Sequence, residues 1–181
     1  MQRSMLRRTT ALLCAVAGST LFAASPALAG ADHARASGEL IRYSTAIPEG
    51  ASARVDAVYN ASGASIFVLH VWGLAPNTAY GSHAHVNACG ATGAAAGPHY
   101  QHVVDPHQPS TDPAYANPHN EVWLDFETDS DGNATATSTE DWQFSADRRP
   151  GSVIIHVETT HTGPDDSGTA GARLACLTVA F

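Results

Sequence analysis

The sequence predicts an all-β domain, a Greek-key β-sandwich or barrel that carries two long functional loops. Three observations predict it. Strand-like runs recur along the chain with Gly, Pro, Asp and Ser clusters between them, and no window sustains the apolar period of a helix. Two further stretches, residues 88–118 and 161–172, are rich in Gly and Pro and have no period of their own. Long irregular segments inside a compact domain tend to carry function, because a rigid β scaffold can hold them in place. Sandwiches and Greek-key barrels are the architectures that fold such a pattern.

The elements follow in chain order. Arg3, Arg7 and Arg8 precede an apolar stretch over 11–24 and the tripeptide Ala27-Leu28-Ala29, the charged, apolar and A-x-A order of a secretory signal peptide. Residues 1–29 are therefore expected to be removed, leaving one domain over 30–181 with room for a core. Arg7-Arg8 leaves a twin-arginine route open beside the general one, although Thr9-Thr10-Ala11 fits that pattern poorly. Leu13 before Cys14 is not the small residue of a lipoprotein signal, and no later run has the ~18 apolar residues of a membrane span. In residues 53–59, Arg54 and Asp56 alternate with Val55, Ala57 and Tyr59. Asn60-Ala61-Ser62-Gly63 then supplies a turn before the apolar run 66–72, which makes a hairpin. A strand over 80–86 puts His83 and His85 on one face. Further strands are expected over 122–126, 133–139, 153–157 and 174–181. There is no internal repeat.

Composition narrows the partners. The leader holds three of the nine arginines and no acid, so 17 acidic groups face six arginines, a net charge of about −11 with histidine neutral. There is no lysine. Nucleic acid and anionic membrane are poor partners for such a surface. Of three cysteines, Cys14 leaves with the leader; Cys89 and Cys176 remain, an even pair that in an exported protein is most simply a disulfide, with two free thiols as the alternative.

The histidines raise the question of a metal. With 10 histidines in 181 residues, chance alone yields an HxH pair in roughly every second such chain. His83-Ala84-His85 has company, however: His99, His107 and His119 lie in or beside the first long stretch, and His156 ends the run Val153-Ile154-Ile155. Imidazole suits copper and zinc, whereas magnesium and calcium want clustered carboxylates. Spacing alone leaves solvated surface histidines as the alternative.

The segments "GSHAHVNACG", "AGPHYQH", "PHNEVWLDFETDSDGNATA", "IIHVETT" and "GTAGARLAC", in that order, resemble the copper/zinc superoxide dismutase family over most of residues 81–181, and "GLAPNTAYGSHAH" resembles its approach to the HxH strand. The resemblance implies that His83, His85, His99 and His156 are copper ligands, with His99 able to bridge to zinc and to donate a proton during turnover. It implies that Arg173 orients the superoxide anion beside the copper and that Cys89 pairs with Cys176. For zinc it implies His99, His107 and His119, but the aspartate the family places three residues after the last of these is Val122 here. Asp105, Glu121 and Asp125 are near enough to substitute, with Asp105 the one assigned. A copper-only variant, with Glu121 or Asp125 hydrogen-bonded to His99 in place of zinc, stands beside that reading. The family's aspartate four residues after the last copper histidine is Thr160 here, a change that implies a weaker or looser site. His102 has a lesser claim to join the group; His33, His70 and His161 match nothing in the family. The segment between His156 and Arg173 is shorter than the family's electrostatic loop and carries Asp165 and Asp166, charges ill suited to attracting an anion.

The resemblance thus implies an exported superoxide dismutase, in the periplasm, on the cell wall or outside the cell, that acts on a small anion in antioxidant defence. A protein of the same fold that stores or delivers copper without turnover is the alternative. Oligomeric state is not legible in the sequence.

Overall fold

The period-two alternation of the sequence becomes the inside and outside of a sheet. The computed structural model describes residues 32–181, and the expected signal peptide lies outside the described residues. The strands are β1 (Asp32–Glu39), β2 (Ile41–Arg42), β3 (Ser52–Tyr59), β4 (Ser65–Trp72), β5 (Ala79–His85), β6 (Phe126–Glu127), β7 (Ala134–Glu140), β8 (Ser152–His156) and β9 (Arg173–Thr178). The one helical element among the described residues is a 3-10 turn at Gly93–Ala96, so none is long and apolar enough to cross a membrane. One antiparallel sheet has the order β1-β3-β4-β7 and the other β2-β9-β8-β5-β6. After β5 and β6 have joined the second sheet, β7 returns to pair with β4, which is the Greek-key connection. The run from β1 to β2 changes sheets at buried Leu40, whose N–H donates to the Ala51 carbonyl at 2.9 Å.

In the first sheet one face enters the core. Ala53, Val55, Ala57 and Tyr59 of β3 and Phe67, Leu69 and Val71 of β4 are buried, while Arg54, Asp56, Val68 and His70 point outward. Phe67 meets Tyr59, Phe144 and Phe181 at ring-centroid distances of 6.3, 5.3 and 6.0 Å, mostly edge to face, the arrangement that aromatic quadrupoles favour.

The second sheet is buried on both faces. Every residue of β8 and all of β5 but Ala79 are buried. Tyr80, Ala84, Val153 and Ile155 belong to the main core. The opposite face carries Gly81, His83, His85, Ile154 and His156, and segments 86–125 and 157–172 cover it. Strand register sets its rows: Gly81 beside His156 beside Arg173, and His83 beside Ile154 beside Cys176. A bulge between β8 and β9 makes this possible, because His156 pairs with Arg173 while Ile155 pairs with Ala175, leaving Leu174 as the extra residue. Leu174 and Ala175 both turn into the core, so the alternation slips by one and Arg173 emerges on the face of His156.

Cys89 and Cys176 form a disulfide with a Cα–Cα distance of 5.9 Å across 87 residues of sequence. It ties the first long segment to β9, over a small cluster of Ala96, Ile154 and Cys176. Closing so long a loop is typically worth about 2–4 kcal/mol.

Three expectations need adjusting. The run 122–126 is extended beside β5 but forms a strand only at its end. Leu124 N–H donates to Ser82 O at 2.7 Å, yet the Ser82 N–H that a regular ladder would return goes to the Asp125 carboxylate at 3.1 Å. The run 174–181 begins one residue earlier and ends as a strand at Thr178. Strands β1 and β2 escape a pattern-based reading because their residues are mostly exposed and show no apolar face.

The assigned register makes a prediction. Phe67→Ala should cost about 3–5 kcal/mol in urea unfolding, while Val68→Ala, on the outer face, should cost less than about 1 kcal/mol. Equal losses would contradict the assigned faces.

Candidate metal centre

Four imidazoles converge on the covered face of the second sheet. His83 and His85 come from alternate positions of β5, and His156 from the last position of β8. His99 arrives from the first long segment, which runs along β5 there: Val86 N–H donates to Pro98 O at 3.1 Å and Tyr100 N–H to Ala84 O at 2.8 Å. One ring nitrogen from each of the four lies within 4.8 Å of the others, the one such group among the described residues. His83 and His85 are fully buried and His156 is nearly so; the His99 side chain keeps 16% of its surface.

Each ring is held from outside by an oxygen. His85 Nδ1–H donates to the Gly97 carbonyl at 3.0 Å and His156 Nδ1–H to the Gly171 carbonyl at 3.3 Å. Both glycines have positive φ, +72° and +70°, a backbone conformation that aims the carbonyl at little steric cost only without a Cβ. His99 Nδ1–H donates to Glu121 Oε2 at 2.8 Å. His83 Nε2 lies 2.6 Å from Thr160 Oγ1. Outward protons leave inward lone pairs, since a neutral imidazole carries one N–H and one acceptor nitrogen.

Those lone pairs are what a metal ion requires. His83 Nδ1 is buried and has no hydrogen-bond partner among the described residues, and His85 Nε2 faces His156 Nε2 at 3.4 Å, two acceptors once the Nδ1 protons of both rings go to carbonyls. Nitrogens spaced in this way suit bonds of about 2.0 Å to one shared ion. Burial is the main cause that pushes the pKa of His83 and of His85 well below the ordinary imidazole value and brings His156 to about 3, with His99 and Arg173 adding to it. The three rings are therefore neutral, the form that ligates. The residues present fit a metal ion.

The expected zinc set is not assembled. His107 and His119 are exposed, and neither joins a ligand group among the described residues. Asp105 is occupied: its carboxylate accepts the Ser110 hydroxyl at 2.6 Å and the His107 amide at 2.8 Å, which hold its pKa down. The outward nitrogen of His99, which a bridging role would need, is taken by Glu121. That buried carboxylate also accepts Trp123 Nε1–H and Gln101 Nε2–H, each at 2.8 Å, so its charge is well solvated by the protein. Of the two carboxylates considered for His99, Glu121 is the partner. Asp125 instead accepts Ser82 N–H, Thr160 N–H and the Thr160 hydroxyl.

Other residues fall as follows. Arg173 is half-buried beside the cluster, with Nη1–H donating to Gly93 O at 2.8 Å. Burial lowers its pKa, but from a starting point so high that the charge persists at neutral pH. His102 stays outside and stacks on Trp142 at 4.7 Å. His70 bonds Thr135, His161 bonds Asp166, and His33 is exposed. Sequence reasoning missed Gln101, Trp123 and the carbonyls of Gly97 and Gly171; a backbone acceptor leaves no side-chain signal to find.

Metal retention tests this geometry. After loading and exhaustive dialysis, His85→Ala should lose its bound metal, while a His107→Ala/His119→Ala variant should keep the wild-type content. Equal retention by His85→Ala would refute the cluster, and loss in the double variant would restore the second site.

The sequence matches the family model for copper/zinc superoxide dismutase (SODC) over residues 51–179. A comparison with curated protein sequences gave no match. Among solved structures, the chain is similar to a double mutant of a SOD-like protein from Bacillus subtilis, with a TM-score of 0.55 and 17% identity over 81% of this chain and 95% of that one. It is similar also to the clock protein EA4, with a TM-score of 0.56 and 20% identity over 86% of this chain and 98% of that one. At these identities the two structures establish the fold, and the match over residues 51–179 establishes the relationship: the chain belongs to the copper/zinc superoxide dismutase family.

Proposed function

We propose that the chain is an exported superoxide dismutase that works with one copper ion, held by His83 Nδ1 and by the Nε2 atoms of His85, His99 and His156. The observation that carries this reading is His83 Nδ1, a buried nitrogen without a partner among the described residues, in a cluster of four converging imidazoles. An all-imidazole set accommodates both oxidation states of copper, and no thiolate competes among the described residues, since Cys89 and Cys176 are joined. Bound copper supplies one-electron chemistry: an electron taken from one superoxide gives dioxygen, and its return to a second, with two protons, gives hydrogen peroxide.

The chain's own residues do the rest. Arg173 offers a fixed positive charge next to His156, where an anion must stop. His99 is the most exposed of the four rings, and with Nδ1–H held by the Glu121 carboxylate its Nε2 would be the atom that holds a proton for the substrate. Glu121 thereby takes the place that zinc would have, and the centre is of the copper-only kind. The disulfide supports an oxidising compartment, whether periplasm, cell wall or medium.

A copper-binding protein without turnover is the second reading. Segment 157–172 favours it, because it contains Glu158, Asp165 and Asp166 and neither arginine nor lysine to draw an anion in.

Superoxide turnover decides between them. Copper-loaded protein should accelerate superoxide decay and metal-free protein should not. Arg173→Gln should keep copper, fold and disulfide while lowering kcat/KM by about tenfold or more, since one desolvated charge on an anion is worth about 1–2 kcal/mol. No turnover by the loaded wild type would leave the storage reading, and an unaffected Arg173→Gln variant would remove Arg173 from the reaction.

A further inference from the structure

We propose that Thr160, held by Asp125, is a positioning residue that sets which ring nitrogen of His83 is offered to the metal. The inference rests on the reading of the four-histidine cluster as a copper centre and deepens it by assigning the group that aims one ligand. Where the family pattern has a carboxylate, this chain has a hydroxyl, and the sequence alone suggested that a link had been lost.

Hydrogen-bond accounting rebuilds the link. The Asp125 carboxylate accepts at both oxygens: Thr160 N–H at 2.6 Å on Oδ2, and the Thr160 hydroxyl at 2.7 Å with Ser82 N–H at 3.1 Å on Oδ1. Thr160 has a single hydroxyl proton, and Asp125 takes it. What Thr160 Oγ1 presents to His83 Nε2, 2.6 Å away, is therefore a lone pair, so the ring nitrogen must be the donor. His83 is thus protonated at Nε2 and bare at Nδ1, the buried atom that has no partner among the described residues. A hydroxyl by itself is ambiguous, because it donates as readily as it accepts. Asp125 removes the ambiguity. Without that carboxylate the hydroxyl could turn and donate to Nε2, which would move the ring proton to Nδ1 and point it at the metal.

The relay is also fixed in space. Asp125 grips Thr160 by both amide and hydroxyl, and through Ser82 it is tied to the strand position next to His83. The segment carrying Thr160 can lie on β5 because position 81 is glycine: a Cβ there would collide with the Glu158 carbonyl and the Ala170 methyl.

The test uses full mature protein with the disulfide verified, as wild type, Thr160→Val, Thr160→Ser and Asp125→Ala. Imidazole 15N shifts of the metal-free forms report the His83 tautomer, and competition with a chelator reports Cu(II) affinity. Wild type should show His83 protonated at Nε2. Thr160→Val should weaken copper binding about 10–100-fold, the usual loss when an outer partner of a ligating histidine is removed, and Thr160→Ser should restore it. Asp125→Ala should shift His83 toward protonation at Nδ1. Wild-type His83 protonated at Nδ1, or Thr160→Val binding copper as tightly as wild type, would overturn the proposal. Should Thr160→Val fail to fold, the tautomers of wild type and Asp125→Ala decide. Neither readout involves superoxide: loss of turnover with these shifts intact would sink the dismutase reading alone, and turnover without them would sink this proposal alone.

Discussion

The candidate centre depends on one constraint: each of four converging imidazoles, three of them buried, must keep its proton on the outside. A ring with the proton inward would present N–H to a cation and repel it. In this fold four different oxygens impose the outward choice, two backbone carbonyls, one carboxylate and one hydroxyl. The carbonyls accept only, and so does the carboxylate, which already takes two other N–H donors. The hydroxyl is the exception and needs Asp125 behind it. With all four in place the interior nitrogens have no proton to share, and a cation becomes the natural way to satisfy them.

That constraint explains why the second sheet is covered on both faces. Outer oxygens must come from chain lying over the histidines, and segments 86–125 and 157–172 supply it. The disulfide anchors the first of these to β9, and the Asp125–Thr160 contacts anchor the second to β5. The β8–β9 bulge adds a charge to the same face: by turning Leu174 into the core it lets Arg173 stand beside His156. Packing and chemistry are thus settled by the same few residues.

Much of this was legible in the sequence, and its limits have physical causes. The hairpin of β3 and β4 was plain because apolar and polar residues alternate there on a half-exposed sheet. His83 and His85 on one face followed from the strand period. The Cys89–Cys176 pair followed both from the even cysteine count left once the leader is set aside and from the family motifs, and the four-histidine set came with those motifs. Of the two readings the sequence left open for zinc, the side-chain contacts favour the copper-only one, which motif spacing could not show because it records residue types and not engagement: Asp105 is spent on Ser110 and the His107 amide, while His107 and His119 face solvent. Thr160 read as a deficit because its value lies in a partner 35 residues away, which no local pattern reveals. β1 was invisible for the opposite reason, having almost no buried face to leave a pattern.

The central claim is a single-metal centre in which Glu121, and not zinc, holds His99 from outside. Anomalous diffraction at the copper and zinc edges, from crystals of the mature protein grown with equal amounts of both metals, tests it most directly. The expected result is one copper peak among His83, His85, His99 and His156, with Glu121 still bonded to His99 Nδ1. A second peak at the zinc edge on His99 Nδ1, with Glu121 displaced or ligating, would contradict it.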